Sequence, residues 1–470
     1  MPARSLTRMS ASAKPVSRPS MRQELARTAR LAAPLAAGHV ATGMIGLVDS
    51  LVAGRHGTAT LAAVSVGTAM FWLPMMIPMG TLMALPPSIS HLDGAGRRHE
   101  IAPLFRQALW LALALGALLW GLMSLFPLAL GWIGIAPDIR PGATDFILGI
   151  RWGVPALTLY LAMRYLCDGL HWSLPTMLFG LGGLLVLAPL GWAMAFGRWG
   201  FAEMGAGGLG FASSAMMWAQ AVGFALYLAI GKRFADLHLF GRFDAPSARA
   251  LGSLLKTGLP IGVTVAMEGS LFIVTALLIG RLGEVPAAAH QIAINVASLC
   301  FMIPFGIAEA TTVRVGNALG RGDRTGILRA ARAGLVLVLG TQLLSGLLMV
   351  TGHDFIASRY TADVAVATLA SSLLLYAAAF QFPDGIQVLS AGALRGLKDT
   401  RVPMLLAALA YWGIGMPLGA GLGLGLGWGP KGMWIGLIAG LTCAAVLLAR
   451  RFLSSARRIP ISGQTGAPAA

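Results

Sequence analysis

One stretch of this chain occurs twice. Residues 34–98 read PLAAGHVATGMIGLVDSLVAGRHGTATLAAVSVGTAMFWLPMMIPMGTLMALPPSISHLDGAGRR, and a shift of 226 residues places them without a gap on residues 260–324. The positions that stay identical include Pro34 and Pro260, Gly54 and Gly280, Pro78 and Pro304, Gly80 and Gly306, Gly94 and Gly320, and Arg98 and Arg324. Because prolines and glycines restrict or release the backbone, their duplication predicts two halves with the same backbone course.

The acidic residues are not duplicated with this stretch. Asp49 of the first copy corresponds to Thr275, and Glu268 of the second copy corresponds to Thr42. We therefore expect the two halves to share a scaffold and to carry different chemistry.

Apolar runs that are long enough to cross a membrane fill most of the chain. Of its 470 residues, 56% are hydrophobic and only 11% are charged, which is not the composition of a soluble domain. Windows of about 20 apolar residues give twelve predicted spans, at 28–54, 59–85, 103–128, 143–167, 173–196, 205–230, 251–280, 286–312, 328–351, 367–393, 402–424 and 431–452. The predicted fold class is an all-α integral membrane protein with twelve transmembrane helices in two six-helix lobes. Since each half has an even number of spans, the internal repeat is expected to be parallel.

Positive charge is distributed unevenly between the loops. The 35 Lys and Arg residues outnumber the 18 Asp and Glu residues, and they concentrate in both tails and in alternate loops. Loops rich in Lys and Arg stay in the cytoplasm, so both termini are expected there. This placement favours a lipid bilayer, and not a nucleic acid, as the partner of the basic residues. The predicted organisation is a basic cytoplasmic tail 1–27, an N-terminal lobe 28–230, a cytoplasmic linker 231–250, a C-terminal lobe 251–452 and a cytoplasmic tail 453–470.

The first predicted span carries a candidate site for cation coupling. His39, Thr42 and Asp49 are spaced so that they share one helical face. A carboxylate within hydrocarbon costs about 2.5–3.5 kcal/mol, so Asp49 is expected to face protein or water. The alternative is a solvated acid at the outer end of the helix, because residues 54–57 follow within two turns.

The seventh predicted span carries a second candidate, Glu268. It shares a face with Thr264 and Thr275, and no solvated helix end lies within two turns of it. The alternative is a structural acid that pairs with a neighbouring helix.

The eighth predicted span adds polar residues. Gln291 and Asn295 form an i, i+4 pair and are candidates for lining a cavity. Glu309, near the end of this span, is expected to pair with the region of Arg314.

The tenth predicted span contains an oxygen-rich face. Gln381, Asp384 and Gln387 share this face, and Pro383 is expected to leave one backbone carbonyl unpaired. A carboxylate, two amides and a carbonyl are ligands that suit a small hard cation such as Na⁺. The alternative is a proline kink with a capping acid.

Longer motifs occur in order along the chain. They are GLVDSLVAG at 46–54, the segment 86–98, AAHQIAIN at 288–295, RVGNALG at 314–320, QVLSAGALRGLKD at 387–399 and GPKGMWIG at 429–436. In these motifs the chain resembles the multidrug and toxic compound extrusion (MATE) transporters, in particular their bacterial NorM-like branch.

The resemblance implies two six-helix lobes around a central cavity in the bacterial inner membrane. It also implies export of drugs that is driven by Na⁺ or H⁺ as the coupling ion, with no other cofactor. The family's acid in the first helix falls on Asp49, and its acids in the second lobe fall on Glu268 and Asp384, which would bind Na⁺ if the transporter is sodium-coupled. The family's usual polar pair in the fifth helix falls on Leu187 and Gly191, which would leave a thinner polar network around Asp49.

The predicted function is a monomeric cation-coupled antiporter that exports lipophilic, mostly cationic compounds by alternating access. The alternative is a lipid-linked oligosaccharide flippase of the same superfamily, for which a more basic cavity would be expected. A membrane enzyme is disfavoured, because His91, His99 and His171 lie scattered on different loops.

Overall fold

A computed structural model describes residues 20–460 of the chain. Within that range twelve helices are long and apolar enough to cross a membrane. They are α1 (Met21–His56), α2 (Thr58–Gly94), α3 (Arg98–Trp132), α4 (Arg140–Gly169), α5 (Leu174–Ala195), α6 (Gly205–Ile230), α7 (Ala248–Gly280), α8 (Glu284–Gly320), α9 (Arg324–Tyr360), α10 (Val364–Gly396), α11 (Arg401–Gly425) and α12 (Pro430–Arg457). The predicted all-α class and the twelve spans are confirmed.

Helix α1 begins earlier than the first predicted span. The side chain of Ser20 accepts a hydrogen bond from the N–H of Gln23 (3.3 Å), and the Gln23 side chain accepts one from the N–H of Ser20 (3.0 Å). This reciprocal capping box starts the helix at Met21. Residues 21–27, which the sequence placed in the N-terminal tail, are therefore helical, and residues 1–19 and 461–470 lie outside the described part.

Helix α2 continues beyond the end of the predicted span 59–85. After a turn at residues 83–84 the chain continues as a helix over Leu85–Gly94, with prolines at its first positions. Proline is well tolerated there, because the N–H that it lacks has no partner in a first helical turn.

The two lobes pack through close backbone contacts that the repeat explains. Gly80 of α2 lies against Gly262 of α7, where an added Cβ on Gly80 would come within 2.6 Å of the Gly262 Cα atom. The repeat-related contact joins Gly306 of α8 to Ala36 of α1, and a Cβ on Gly306 would come within 2.7 Å of the Ala36 nitrogen. Each contact therefore occurs twice with the lobes exchanged, as at a two-fold interface.

A second pair of contacts follows the same rule. Gly94 lies against the carbonyl of Asn317, and its counterpart Gly320 lies against the carbonyl of His91. Side chains of any size at these glycines would collide with backbone atoms of the other lobe. The duplicated glycines are thus explained by the packing of one lobe on the other.

These contacts lie toward one side of the membrane. Since the number of spans is even, both ends of the described chain lie on the same side, which we call the terminal face. The hydrogen bonds that cross between the lobes involve residues 309–317, in the half of α8 that ends at this face. At the opposite face, a Cβ on Gly57 or Gly280 would meet no atom within 4 Å. The lobes are closed on each other at the terminal face.

The connection between the lobes is attached to the first lobe. It contains a short 3₁₀ helix, Lys232–Leu237, and then folds back on α3. The Arg106 Nε atom donates to the Asp244 carboxylate (2.6 Å), and Trp110 donates to the Asp244 carbonyl (2.9 Å).

Candidate functional site

The second lobe contains a cavity with two carboxyl groups. Glu268 of α7 and Asp384 of α10 both line this space of about 300 Å³, together with apolar side chains that include Phe272 and Phe380. Asp384 is only 3% exposed. The structure thus brings together two acids that lie more than a hundred residues apart in the sequence.

Two buried glutamines of α10 flank Asp384 in the sequence, one three residues before it and one three residues after it. Gln381 and Gln387 are 0% and 1% exposed, and the Gln387 amide adjoins the Glu268 carboxyl group. Gln381 donates to the carbonyl of Ala297 (3.3 Å), but the Oε1 atoms of both glutamines accept no hydrogen bond from the described residues. Buried amide oxygens normally have a partner, so these two atoms are available to a ligand.

The oxygen set suits a hard cation. Within residues 20–460 no group of three or more His, Cys, Asp or Glu side chains converges. A cation held by Glu268 and Asp384 would therefore need further oxygen ligands, and the Gln387 amide, which adjoins the Glu268 carboxyl group, is placed to supply one. Carboxylate and amide oxygens are the ligands that such ions prefer.

Two neighbours of this site were not predicted from the sequence. Gln342 of α9 is fully buried and donates to the carbonyl of Gln381 (2.9 Å), so it pairs one backbone carbonyl next to Pro383. Tyr411 is also fully buried, lies near Glu268 and Asp384, and its hydroxyl has no partner among the described residues. A single polar residue inside an apolar span gives no signal of the helix that it will face.

Tyr411 lies in a distorted part of α11. The helix takes π-helical turns over Leu409–Gly415 and again over Gly421–Gly425. Such turns are frequent at functional sites, because they change the direction in which side chains project.

Three other predicted residues lie away from the carboxyl groups. Gln291 donates to Asn295 (2.9 Å) and both side chains are exposed on α8, while Thr264 donates to the carbonyl of Pro260 (2.7 Å) in its own helix. None of the three lines the cavity that holds Glu268 and Asp384, and neither Gln381 nor Gln387 lines it.

The first lobe contains a second cavity, of about 370 Å³. His39, Thr42 and Asp49 all line it, as their shared helical face indicated. Asp49 is 4% exposed, and its Oδ1 atom has no hydrogen-bond partner among the described residues. The acid is therefore buried in the lobe and is not a solvated group at the helix end.

Polar groups near Asp49 come from α6. Ser213 and Gln220 line the same cavity. Leu187, one of the two α5 positions expected to be polar from the family resemblance, is fully buried in the core of the lobe. Gly191 packs beside Leu209, also without contributing a polar group. Helix α5 thus adds no polar side chain at these two positions.

The rest of this cavity is lined by large, adaptable apolar side chains. They include six methionines and several aromatic residues: Met75, Met79, Met83, Met216, Met217, Met302, Phe71, Trp72, Phe146, Phe301 and Phe305. Phe301 also lines the cavity of the second lobe, so the two spaces adjoin at this side chain.

Ionisable side chains join the lobes on the terminal side of the cavities. The Oε2 atom of Glu309, on α8, lies 2.7 Å from the Nε2 atom of His39, on α1. The same oxygen lies 3.5 Å from the Nη2 atom of Arg164, on α4. Arg164 in turn pairs with Asp168 (3.4 Å). We call these four residues the inter-lobe cluster.

The expected pairing of Glu309 with Arg314 is wrong. Arg314 instead pairs with Glu24 of α1 and donates to Thr28. Arg395, which lies beyond the end of the predicted span 367–393, is 8% exposed inside α10 and lines a small cavity with Glu309. In both cases the neighbouring side chain belongs to another helix, which spacing along one helix does not identify.

Two pseudo-symmetric six-helix lobes, closed on each other at one face and carrying buried acids in adjoining cavities, define a membrane transporter built from an internal repeat. Comparison with known proteins identifies its family. The MatE family model matches the chain twice, over residues 34–193 and 260–420. The chain belongs to the MatE family of multidrug efflux transporters.

Individual relatives agree with this assignment. The probable multidrug resistance protein NorM of Xanthomonas campestris pv. campestris is 65% identical over 445 residues, which cover 95% of this chain and 97% of that protein. Multidrug resistance protein PmpM of Pseudomonas aeruginosa is 41% identical, with 96% of each chain covered. A solved structure described as the outward-facing conformation of a multidrug resistance MATE family transporter has a TM-score of 0.84 at 18% identity, covering 94% of this chain and 97% of that one. That likeness supports the fold.

Proposed function

We propose that this multidrug efflux transporter is a cation-coupled antiporter that exports lipophilic, mostly cationic compounds across the inner membrane. The observation that carries the proposal is the pair Glu268 and Asp384 in one apolar cavity, with the buried Gln387 amide beside the Glu268 carboxyl group.

Coupling follows from the cost of burying charge. Two neighbouring carboxylates within a protein cannot both be ionised unless a cation compensates them. Entry of Na⁺ or H⁺ from outside provides that compensation at Glu268 and Asp384. Release of the ion on the other side returns the site to a state that again requires a cation.

The cavity of the first lobe suits the exported compound. Methionine side chains adapt to ligands of different shape, and aromatic faces attract cations. Asp49 adds a single negative charge to this lining. A lipophilic cation would therefore be held without a specific hydrogen-bonding pattern, which fits export of many compounds.

The orientation follows from charge. Exposed arginines, such as Arg97, Arg98 and Arg321, lie at the terminal face, which favours the cytoplasm on this side. On this orientation, lobes that are closed at the terminal face would belong to a state open toward the outside. Alternating access then requires the lobes to separate at the terminal face, which would break the inter-lobe cluster.

Drug resistance of cells tests this proposal. A strain without its own efflux pumps would express the wild type, Glu268→Gln or Asp384→Asn, and ethidium accumulation would be measured. Both variants should accumulate ethidium like cells without the transporter, at equal amounts of protein in the membrane. Glu203→Gln is a matched control, because Glu203 is exposed and lines neither lobe cavity. Wild-type resistance in either acid variant would refute the assignment.

A flippase for lipid-linked oligosaccharides is less well supported. Both lobe cavities hold buried acids, which would repel a pyrophosphate group. The relatives described above are named for multidrug resistance.

A further inference from the structure

A third cavity lies at the terminal face, where the two lobes meet. Its volume of about 640 Å³ exceeds that of either lobe cavity. It lies between the start of α1, the connection between α4 and α5, the end of α8 and the start of α9. We call it the terminal-face pocket. Five arginines line it: Arg27, Arg30, Arg314, Arg321 and Arg329.

The pocket has too few carboxylates to neutralise these arginines. Only Glu24 and Asp323 line it. Glu24 is the partner of Arg314, and Asp323 caps α9 by accepting a hydrogen bond from the N–H of Gly326 (2.8 Å). Five arginines and two carboxylates leave a net charge of +3 in this space.

Three of the guanidinium groups have no acidic partner among the described residues. Arg30, Arg321 and Arg329 form no salt bridge within residues 20–460. Arg321 donates to the Asn317 side chain, and Arg329 donates to Thr325 (2.8 Å). Arginines that converge in excess of the nearby carboxylates are the usual arrangement for binding phosphate, because a planar guanidinium donates two parallel hydrogen bonds to it.

The pocket also offers a main-chain donor and an apolar wall. Helix α5 begins at Leu174 with no side-chain cap, because the Ser173 hydroxyl donates instead to the carbonyl of Leu31 (3.0 Å). Of the first residues of this 22-residue helix, Leu174 lines the pocket and Pro175 has no N–H, so the main-chain donor that the helix start offers there is the N–H of Leu174. Trp172, also in the lining, is the type of residue that lies at membrane interfaces.

We propose that the terminal-face pocket binds an anionic phosphate group, either the headgroup of an anionic phospholipid or a free phosphate ion. Because its arginines come from both lobes, the bound anion holds the lobes together at this face. It therefore favours the outward-open state over the state that is open at the terminal face. This proposal rests on the fold and its charges and does not depend on the coupling ion.

Binding to the purified full-length transporter tests the proposal. Native mass spectrometry would count bound phosphatidylglycerol, with phosphatidylcholine as the neutral lipid. Inorganic phosphate and pyrophosphate would be titrated separately, with the melting temperature as the readout. The test variant is Arg30→Gln/Arg321→Gln/Arg329→Gln. Its matched control is Arg450→Gln/Arg457→Gln/Arg458→Gln, which removes the same charge from exposed positions on the same face.

The test variant should bind phosphatidylglycerol on the order of a hundredfold more weakly, while the control should bind it like the wild type. If phosphate, and not the lipid, distinguishes the two variants, the source is the free ion and the site stands. Equal loss in both variants, or no loss in either, would overturn the proposal. Arg30→Gln alone should weaken phosphatidylglycerol binding in the same direction but by less. Arg30 makes no hydrogen bond with a described side chain, so this variant keeps the test informative if the triple variant does not fold.

Discussion

One substitution in the inter-lobe cluster should shift the equilibrium between the state that is closed at the terminal face and the state that is open there. Glu309→Gln replaces a carboxylate oxygen by an amide nitrogen and removes the charge that faces His39 and Arg164. The side chains of all three residues are at most 13% exposed. Removing one partner of a buried ion pair costs about 3–5 kcal/mol. Because glutamine preserves the shape and one hydrogen bond, the lower figure of about 3 kcal/mol is appropriate.

That penalty applies only while the lobes are closed at the terminal face. When they separate, Arg164 keeps Asp168, and His39 becomes accessible to water. Since about 1.4 kcal/mol corresponds to a factor of ten, the closed state should lose roughly a hundredfold in population relative to the open one. The variant should therefore populate the state that the wild type rarely visits.

Distances between spin labels measure this shift. His99 and Thr325 are related by the repeat, are exposed and lie at the terminal face, one in each lobe. Cysteines at these positions would be labelled in a background without Cys167, Cys300 and Cys443. The wild type should give one short distance, and Glu309→Gln should add a longer one.

The control removes a similar pair within one lobe. Glu203 lies 3.1 Å from His56 in the first lobe, near the opposite face. Glu203→Gln should leave the distance distribution unchanged. An unchanged distribution in Glu309→Gln as well would show that the cluster does not hold the lobes together, and would refute the reasoning.

Two further predictions concern local structure. Asp323→Ala should cost about 1 kcal/mol at neutral pH, measured as a lower melting temperature in detergent. Burial alone would raise the pKa of Asp323, but the hydrogen bonds from the Gly326 N–H and the Thr325 hydroxyl, together with the charges of Arg321 and Arg329, outweigh burial and hold the pKa below its usual value. The stabilisation is thus present above the unfolded-state pKa and disappears as the pH falls through the lowered pKa. A mutant deficit that persists in acid would contradict this. Gly80→Leu and Gly306→Leu should each prevent closure at the terminal face and lengthen the label distance, since either Cβ would collide with the backbone of the other lobe. Gly121→Leu is the control and should keep the short distance, because no atom lies within 4 Å of a Cβ at this position. A short distance in the Gly80 or Gly306 variant would show that these glycines are not the contact points between the lobes.

The scaffold could be predicted from the sequence because its signals are local or repeated. Span lengths follow from apolar runs, and the matched glycines at positions 80 and 306 indicate equivalent backbones. The capping box at Ser20 and Gln23 was also readable, although the basic tail around it hid the start of α1. These features depend on neighbours in the sequence or on a fixed shift along it.

The partners of polar residues could not be predicted in the same way. Helical spacing correctly grouped His39 with Asp49, but it did not show that His39 pairs with Glu309 of the other lobe. Gln291 and Asn295 satisfy each other on an exposed face, which spacing alone does not distinguish from a cavity. A fully buried Tyr411 acquires its surroundings only when α11 packs against α7 and α12. Which helices face each other is a property of the whole fold.

The central claim is that Glu268 and Asp384 couple a cation to export. Purified transporter in proteoliposomes, loaded with ethidium, would be given a Na⁺ gradient and a pH gradient in separate experiments. The account predicts that at least one gradient drives ethidium transport by the wild type and that Glu268→Gln and Asp384→Asn abolish it. Transport at the wild-type rate in either variant, or wild-type transport that responds to neither gradient, would contradict it.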